Sequence, residues 1–241
     1  MTYYLPEPGG EDEFYGVPSP AVGARVVFDI DRLFAARERL SGSPVDRTVV
    51  GDEGLVVYED PLEVLRPPDR LWRVGELEGE IRLAPTNRWI RCAALTVREE
   101  LPRWLVMGPH GHAVERVMDQ AGGLTAEGVR ALAAMDPAEE ESLVDAVWQR
   151  YLRTHQSGSP VGCGLLAVND RVEEAARRAG DPRLFGWDEE DEVEVLTDPA
   201  WQQARRAACA AALALGAPDL LSAEENQRLA RRWTAVFGAQ P

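Results

Sequence analysis

The chain holds three histidines, and two of them stand one residue apart. In the segment Gly108-Pro109-His110-Gly111-His112-Ala113-Val114-Glu115, two imidazoles precede a carboxylate. On a helix His112 and Glu115 would share a face, so His110, His112 and Glu115 are candidate ligands for a divalent metal. The glycines give this turn a second option. Backbone N–H groups at a helix N-terminus point away from the helix, so Gly108, Gly111 and His112 are candidates for holding an anion or other ligand. A third option is nucleophilic. The small-residue segment Ser157-Gly158-Ser159-Pro160-Val161-Gly162-Cys163-Gly164 joins two expected helices, with Cys163 at the head of the second. A helix N-terminus lowers a thiol pKa, and His155, eight residues upstream, could act as its base.

A fourth constellation is Arg25-Val26-Val27-Phe28-Asp29-Ile30-Asp31, an apolar strand ending in Asp-x-Asp. It resembles the first motif of the haloacid-dehalogenase-like phosphatases. The resemblance implies that Asp29 is a nucleophile and Asp31 a general acid, with Mg²⁺ between carboxylate and phosphate. It also implies a late acidic pair, for which Asp188 and Asp191 are available, and a fold of parallel strands alternating with helices. The match covers seven residues, and Arg32-Leu33 stand where the family carries Gly-Thr. Read locally, Asp29 ends a strand and Asp31 caps a short helix. A fifth feature is Trp187-Asp188-Glu189-Glu190-Asp191-Glu192-Val193-Glu194, which could attract Ca²⁺ or a basic partner. It lacks the glycine and ligand spacing of an EF-hand loop and otherwise reads as a solvated loop.

Composition narrows these options. The 241 residues carry 26 basic and 41 acidic side chains, a net charge of −15, and every basic one is arginine. Without lysine there is no Walker A lysine, no Schiff-base lysine and no kinase β3 lysine. The acid excess repels nucleic acid and anionic membrane at long range. Cys92, Cys163 and Cys209 are widely spaced and form no Cys-x-x-Cys, which disfavours a disulfide framework and a structural zinc site. No apolar run reaches the ~18 residues of a membrane span, and Met1–Gly10 has no leader character. No Gly-x-Ser-x-Gly, His-Glu-x-x-His or Gly-x-Gly-x-x-Gly occurs. These observations favour a cytoplasmic binding or interaction protein, an adaptor or assembly component. Its partner would be another protein or a second copy of itself, with no cofactor, nucleic acid or membrane. The alternatives are a metal-assisted hydrolase using Mg²⁺ or another divalent metal, at Asp29/Asp31 or at His110/His112/Glu115, and a small-molecule binder with an aromatic pocket drawn from the seven tryptophans.

The elements that would position these residues follow from periodicity and caps. Residues 1–23, rich in proline, glycine and acid, read as an extended or disordered arm, whose aromatics could pack on the body or on a neighbour. Residues 24–110 read as β-rich. The expected strands are Arg25–Asp29, Arg47–Val50, Leu55–Glu59, Leu71–Val74, Glu80–Leu83, Arg88–Val97 and Trp104–Met107, with turns at Ser41–Pro44 and Gly51–Gly54. Residues 111–241 read as helical. Start signals stand at Thr125, Asp136-Pro137-Ala138-Glu139, Asp170 with Glu173, Asp198-Pro199 and Ser222 with Glu225, and stops at Gly180 and Gly216. Leu143, Val144, Val147, Tyr151 and Leu152 fall on one helical face, and the paired arginines are expected in i,i+4 pairs with glutamate. The fold class is α+β: a mostly antiparallel N-terminal sheet with a short helix, then five to six helices packed on it around one shared core.

Overall fold

A computed structural model of the chain describes residues 2–7, 20–31, 34, 35, 38, 54–64, 67–80, 89–154, 160–188 and 193–238. The fold is α+β, an antiparallel six-stranded sheet followed by helices. The chain divides into two compact units, Met1–Val106 and Met107–Pro241.

In the first unit the strands are β1 (Tyr3–Glu7), β2 (Arg25–Val27), β3 (Leu55–Tyr58), β4 (Arg70–Glu78), β5 (Trp89–Cys92) and β6 (Ala94–Leu101). Their order is β2-β6-β4-β1-β3-β5, and every pairing is antiparallel. The N-terminal arm is therefore corrected: its first residues are an inner strand. Tyr3 and Leu5 alternate into the core, and β1 pairs along its whole length with β4. Its bridge to β3 is at Tyr4↔Tyr58, and Pro6, which has no N–H to give, lies beyond it.

The single strand expected over Arg88–Val97 is two strands broken at Ala93. In a flat sheet β5 and β6, four positions apart in the order, would lie about 19 Å apart. One residue joins them, so the sheet must curl until its ends approach. Ala93 carries that junction: its N–H donates to Glu78 O at 2.8 Å and its carbonyl accepts from Phe28 N at 2.8 Å. The curl is accommodated in β4, where the register shifts between Gly75 and Glu78 and Glu76 adopts a left-handed φ of 52°. Inside it Leu5, Val26, Val57, Trp72, Val74, Ile90, Leu95 and Val97 form the core. On the solvent side Arg70–Glu100, Arg73–Glu99 and Arg98–Glu76 tie β4 to β6.

The strand expected at Trp104–Met107 is a 3-10 turn, Arg103–Met107. Pro102 blocks continuation, its carbonyl accepts from Leu105 N at 3.2 Å, and the apolar run is buried as a turn at Val106 and Met107. The expectations at Ser41–Pro44, Arg47–Val50 and residues 51–53 and 81–83 lie outside the described residues.

The second unit contains α1 (Gly111–Gly122), α2 (Ala126–Ala133), α3 (Ala138–Thr154), α4 (Pro160–Ala179), α5 (Pro199–Gly216) and α6 (Ala223–Phe237). Between α4 and α5 is an antiparallel hairpin, β7 (Phe185–Asp188) and β8 (Val193–Leu196), inside the region expected to be wholly helical. Thr125 caps α2, Asp198 caps α5 through Ala200 and Trp201 N–H, and Ser222 with Glu225 forms a capping box on α6. Helix α4 starts at Pro160, so Asp170 and Glu173 lie within it and start nothing. Leu152, expected on the apolar face of α3, is 46% exposed.

Helix α5 is the axis of this unit and packs against the five other helices. Its buried residues include Ala204, Ala207, Ala208, Ala210, Ala211, Ala212 and Ala214, whose small side chains let neighbouring backbones come close. Gly216 and Gly164 extend that close packing to α1. A Cβ there would lie 3.1 Å from Val114 Cγ2 and 3.0 Å from Val114 Cγ1. Arg232 of α6 is fully buried. Its Nη1 donates to Glu140 Oε1 of α3 at 3.0 Å, and its Nη2 donates to Leu132 O of α2 at 2.8 Å and Gln203 O of α5 at 3.3 Å. The arginine pairs thus mostly bridge between helices: Arg205 approaches Glu173 and Arg206 pairs with Glu141, whereas Arg177–Glu173 is the i,i+4 type expected. Among the described residues no helix is long and apolar enough to cross a membrane.

Glu225 joins two of these devices. Its carboxylate accepts from Ser222 N at 2.8 Å and from Arg150 Nη2 at 3.0 Å, and these bonds hold its pKa down to about 2, from an ordinary 4.5. A group with a lowered folded pKa contributes stability above its unfolded pKa and loses it as pH falls towards the folded one. Glu225→Gln keeps an acceptor for Ser222 but loses the charge on Arg150. Its urea midpoint should be lower than that of the unsubstituted chain at pH 7, with the gap closing between pH 4.5 and 2. A gap independent of pH would contradict this assignment.

Candidate functional site

The structure places the sequence-derived candidates as follows. Asp29 follows β2, and its Oδ1 accepts from Asp31 N at 3.1 Å as Ile30 and Asp31 enter a helical turn. The capping carboxylate is therefore Asp29, and the expectation that Asp31 is the cap is corrected: the chain turns helical two residues earlier than the sequence suggests. The fold implied by the phosphatase resemblance also differs from the one found. Strand β2 is an edge strand whose neighbour β6 is antiparallel, and Asp191 lies outside the described residues.

The His turn follows the 3-10 turn Arg103–Met107 and opens α1. Gly108 has φ +86, a conformation suited to glycine, and a Cβ there would lie 3.1 Å from Pro160 Cβ. His110 occupies the N-cap position without a side-chain capping bond, and its Nε2 is 3.8 Å from Asp219 Oδ2. Gly111 is buried in the first turn of α1, and exposed His112 has its Nε2 2.6 Å from Arg116 Nη1. Glu115 is half-buried one turn on. Among the described residues no group of three or more His, Cys, Asp and Glu is placed to hold a metal ion.

Cys163 lies in the first turn of α4, as expected, but its thiol is not lowered. Burial pushes it up to about 12, with Asp170 acting in the same direction. The helix N-terminus is outweighed because the side chain is shut away from water, which disfavours the thiolate. His155 lies outside the described residues. Cys92 is also pushed up to about 12 by burial, and Cys209 to about 11.

The acidic run has a structure that the sequence did not indicate. Trp187 and Asp188 end β7, Val193 and Glu194 begin β8, and residues 189–192 lie outside the described residues. The base of the hairpin is firmly held. Gly180, φ +72, ends α4, and Asp181 caps the turn Pro182–Leu184, its pKa lowered to about 2 chiefly by bonds from Arg183. Leu184 O accepts from Thr197 N at 2.9 Å and Asp198 N at 3.1 Å, and Gln202 Nε2 donates to Leu196 O at 3.0 Å. A Cβ on Gly186 would meet Thr197 Cγ2 at 2.8 Å, so the strand lies against the start of α5 only because that position is glycine. Arg177 stacks over the Phe185 ring at 5.1 Å.

Cross-strand partners share a face, so Phe185, Leu196, Trp187 and Glu194 lie together. The half nearest the base is buried at Leu196. The outer half presents Trp187, 66% exposed, opposite Glu194. The other tryptophans differ: Trp72, Trp201 and Trp233 are buried, and Trp89, Trp104 and Trp148 are half-buried. The sequence signal for this site was the acidic run itself. It missed the strands, because short strands flanked by long helices leave no periodicity to read.

All three thiols are predicted to be slow. A neutral disulfide reagent at pH 7.5 should label the native chain far more slowly than the urea-unfolded chain, in which all three react. Rapid labelling of native Cys163 would restore it as a nucleophile candidate.

Comparison with known protein families, with curated proteins and with solved structures found no match to this chain.

Proposed function

We propose that this chain is a non-catalytic interaction protein that docks a basic segment of another protein on the outer face of the β7–β8 hairpin. The observation that carries this reading is Trp187: a large aromatic ring, two-thirds exposed, on a hairpin fixed at its base, within a run holding six acids in seven residues. Exposed tryptophan on rigid backbone is the typical anchor of a protein interface. The surrounding carboxylates select the partner. They attract arginine- or lysine-bearing segments, speed their encounter, and allow a cation to settle over the indole face. The same charge disfavours a second copy of this acidic chain on that face.

A cytoplasmic setting suits the reading. Three widely spaced cysteines with no Cys-x-x-Cys suit a reducing compartment.

The test uses Trp187→Ala, which removes little packing because the ring stands in solvent. Against an immobilised arginine-rich peptide at low salt, the unsubstituted chain should bind saturably, and binding should weaken on raising the salt. Trp187→Ala should lose on the order of tenfold or more in affinity with an unchanged melting temperature. Equal binding by the two proteins, or binding that ignores salt, would overturn the reading.

A further inference from the structure

The β7–β8 hairpin is a sheet of two strands, so each strand has one edge without a neighbouring strand. The ladder shows which backbone groups face those edges. One step beyond the Phe185↔Leu196 pair, Leu184 stands opposite Thr197, and Thr197 N donates to Leu184 O at 2.9 Å. Bonded and unbonded pairs alternate in an antiparallel ladder. Gly186↔Val195 and Asp188↔Val193 are therefore the bonded pairs, and Phe185, Trp187, Glu194 and Leu196 turn their N–H and C=O groups outward. Two contacts agree with this phase: Phe185 N donates to Pro182 O, and Leu196 O accepts from Gln202 Nε2.

The two edges differ in what remains. On β8 the Leu196 carbonyl is taken by Gln202 of α5 and Leu196 is buried, which leaves the backbone of Glu194. On β7 the Phe185 carbonyl and both the N–H and the C=O of Trp187 remain, and Trp187 is well exposed. Among the described residues nothing hydrogen-bonds to these three groups. They form a row of acceptor, donor and acceptor, which is what an added strand pairs with.

The side chains on either face select the strand. A residue paired antiparallel with Trp187 would share its face, within reach of the indole ring and of Glu194. Arg177 already lies over the Phe185 ring on that face, so the ring still open to a cation is Trp187. The next residue of the strand would fall on the other face, which carries the carboxylate of Asp188. Each face of the outer half thus presents one carboxylate and favours a basic occupant over a second copy of this acidic chain.

We propose that the basic segment docked by this chain is extended and adds to the free edge of β7 as a third, antiparallel strand, its backbone bonded to Phe185 O and to the N–H and C=O of Trp187. This rests on the docking reading and specifies its partner: main-chain bonds hold the segment, and a basic side chain at every second position meets Trp187 and Glu194.

The probe is the peptide acetyl-Arg-Val-Arg-Val-Arg-Val-amide, added to the full chain at low salt and pH 7 while backbone amide exchange is followed by NMR. The Trp187 N–H should exchange rapidly in the free chain and about tenfold or more slowly in the complex, with the Glu194 N–H on the other edge unchanged. With arginines on the Trp187 face, their N–H groups are the ones that point at β7. N-methylation of every arginine should therefore weaken binding about tenfold or more, and N-methylation of every valine should leave it as it was. Unchanged Trp187 exchange in the complex, or a loss from the arginine set no greater than from the valine set, would overturn strand addition and leave the docking reading standing. Absence of binding by the parent peptide would overturn both.

Discussion

The helical unit depends on one buried charge. Arg232 lies in the middle of α6, shut off from solvent, and its guanidinium reaches α3, α2 and α5 together. Removing a guanidinium from water is unfavourable by several kcal/mol and is tolerable only where a counter-charge and hydrogen bonds replace the lost hydration. Glu140 supplies the charge, and the carbonyls of Leu132 and Gln203 supply acceptors. The carbonyls come within reach because α5 is built of alanine and allows its neighbours close. Small side chains and a large buried cation thus serve one packing arrangement, the first setting helix spacing and the second helix register.

That arrangement connects to the surface to which a function is assigned. Glu140 gives one oxygen to Arg232, and its other oxygen is buried without a hydrogen-bond partner. Helix α5 also begins where the hairpin is fastened: Asp198 caps it, Thr197 holds the Leu184 carbonyl, and Gln202 holds the Leu196 carbonyl. The hairpin is therefore carried by the most buried helix of the unit, which keeps the exposed Trp187 in a fixed place. In the first unit a comparable constraint is Ala93, the single residue between two strands that lie far apart in sheet order. It makes the sheet curl and enclose Trp72 and its neighbours.

What was legible in the sequence is what local chemistry decides. The caps at Thr125, Asp198 and Ser222, the stop at Gly180 and the α+β order could all be read, because each depends on residues within a turn or two of each other. The errors are non-local. Tyr3–Glu7 looked like a loose arm because its partners, Arg70–Val74, lie more than sixty residues away. Trp104–Met107 looked like a strand because a buried 3-10 turn and a buried strand have the same apolar composition. Arg231-Arg232 was expected to pair with glutamate within its own helix, and nothing near it announces Glu140, 92 residues earlier. The catalytic candidates rest on residue type and local spacing, and neither reports burial. Cys163 shows the limit of that choice, since burial raised the thiol that helix position was expected to lower.

The most direct test is a double-substitution cycle on the buried pair, Arg232→Met and Glu140→Leu, followed by urea unfolding. Either change alone strands a buried charge and should cost about 3–5 kcal/mol. Together they remove both charges, so the double variant should cost less than the sum of the two by about 1–3 kcal/mol. If the two losses simply add, the pair is not the hub on which the helical unit hangs.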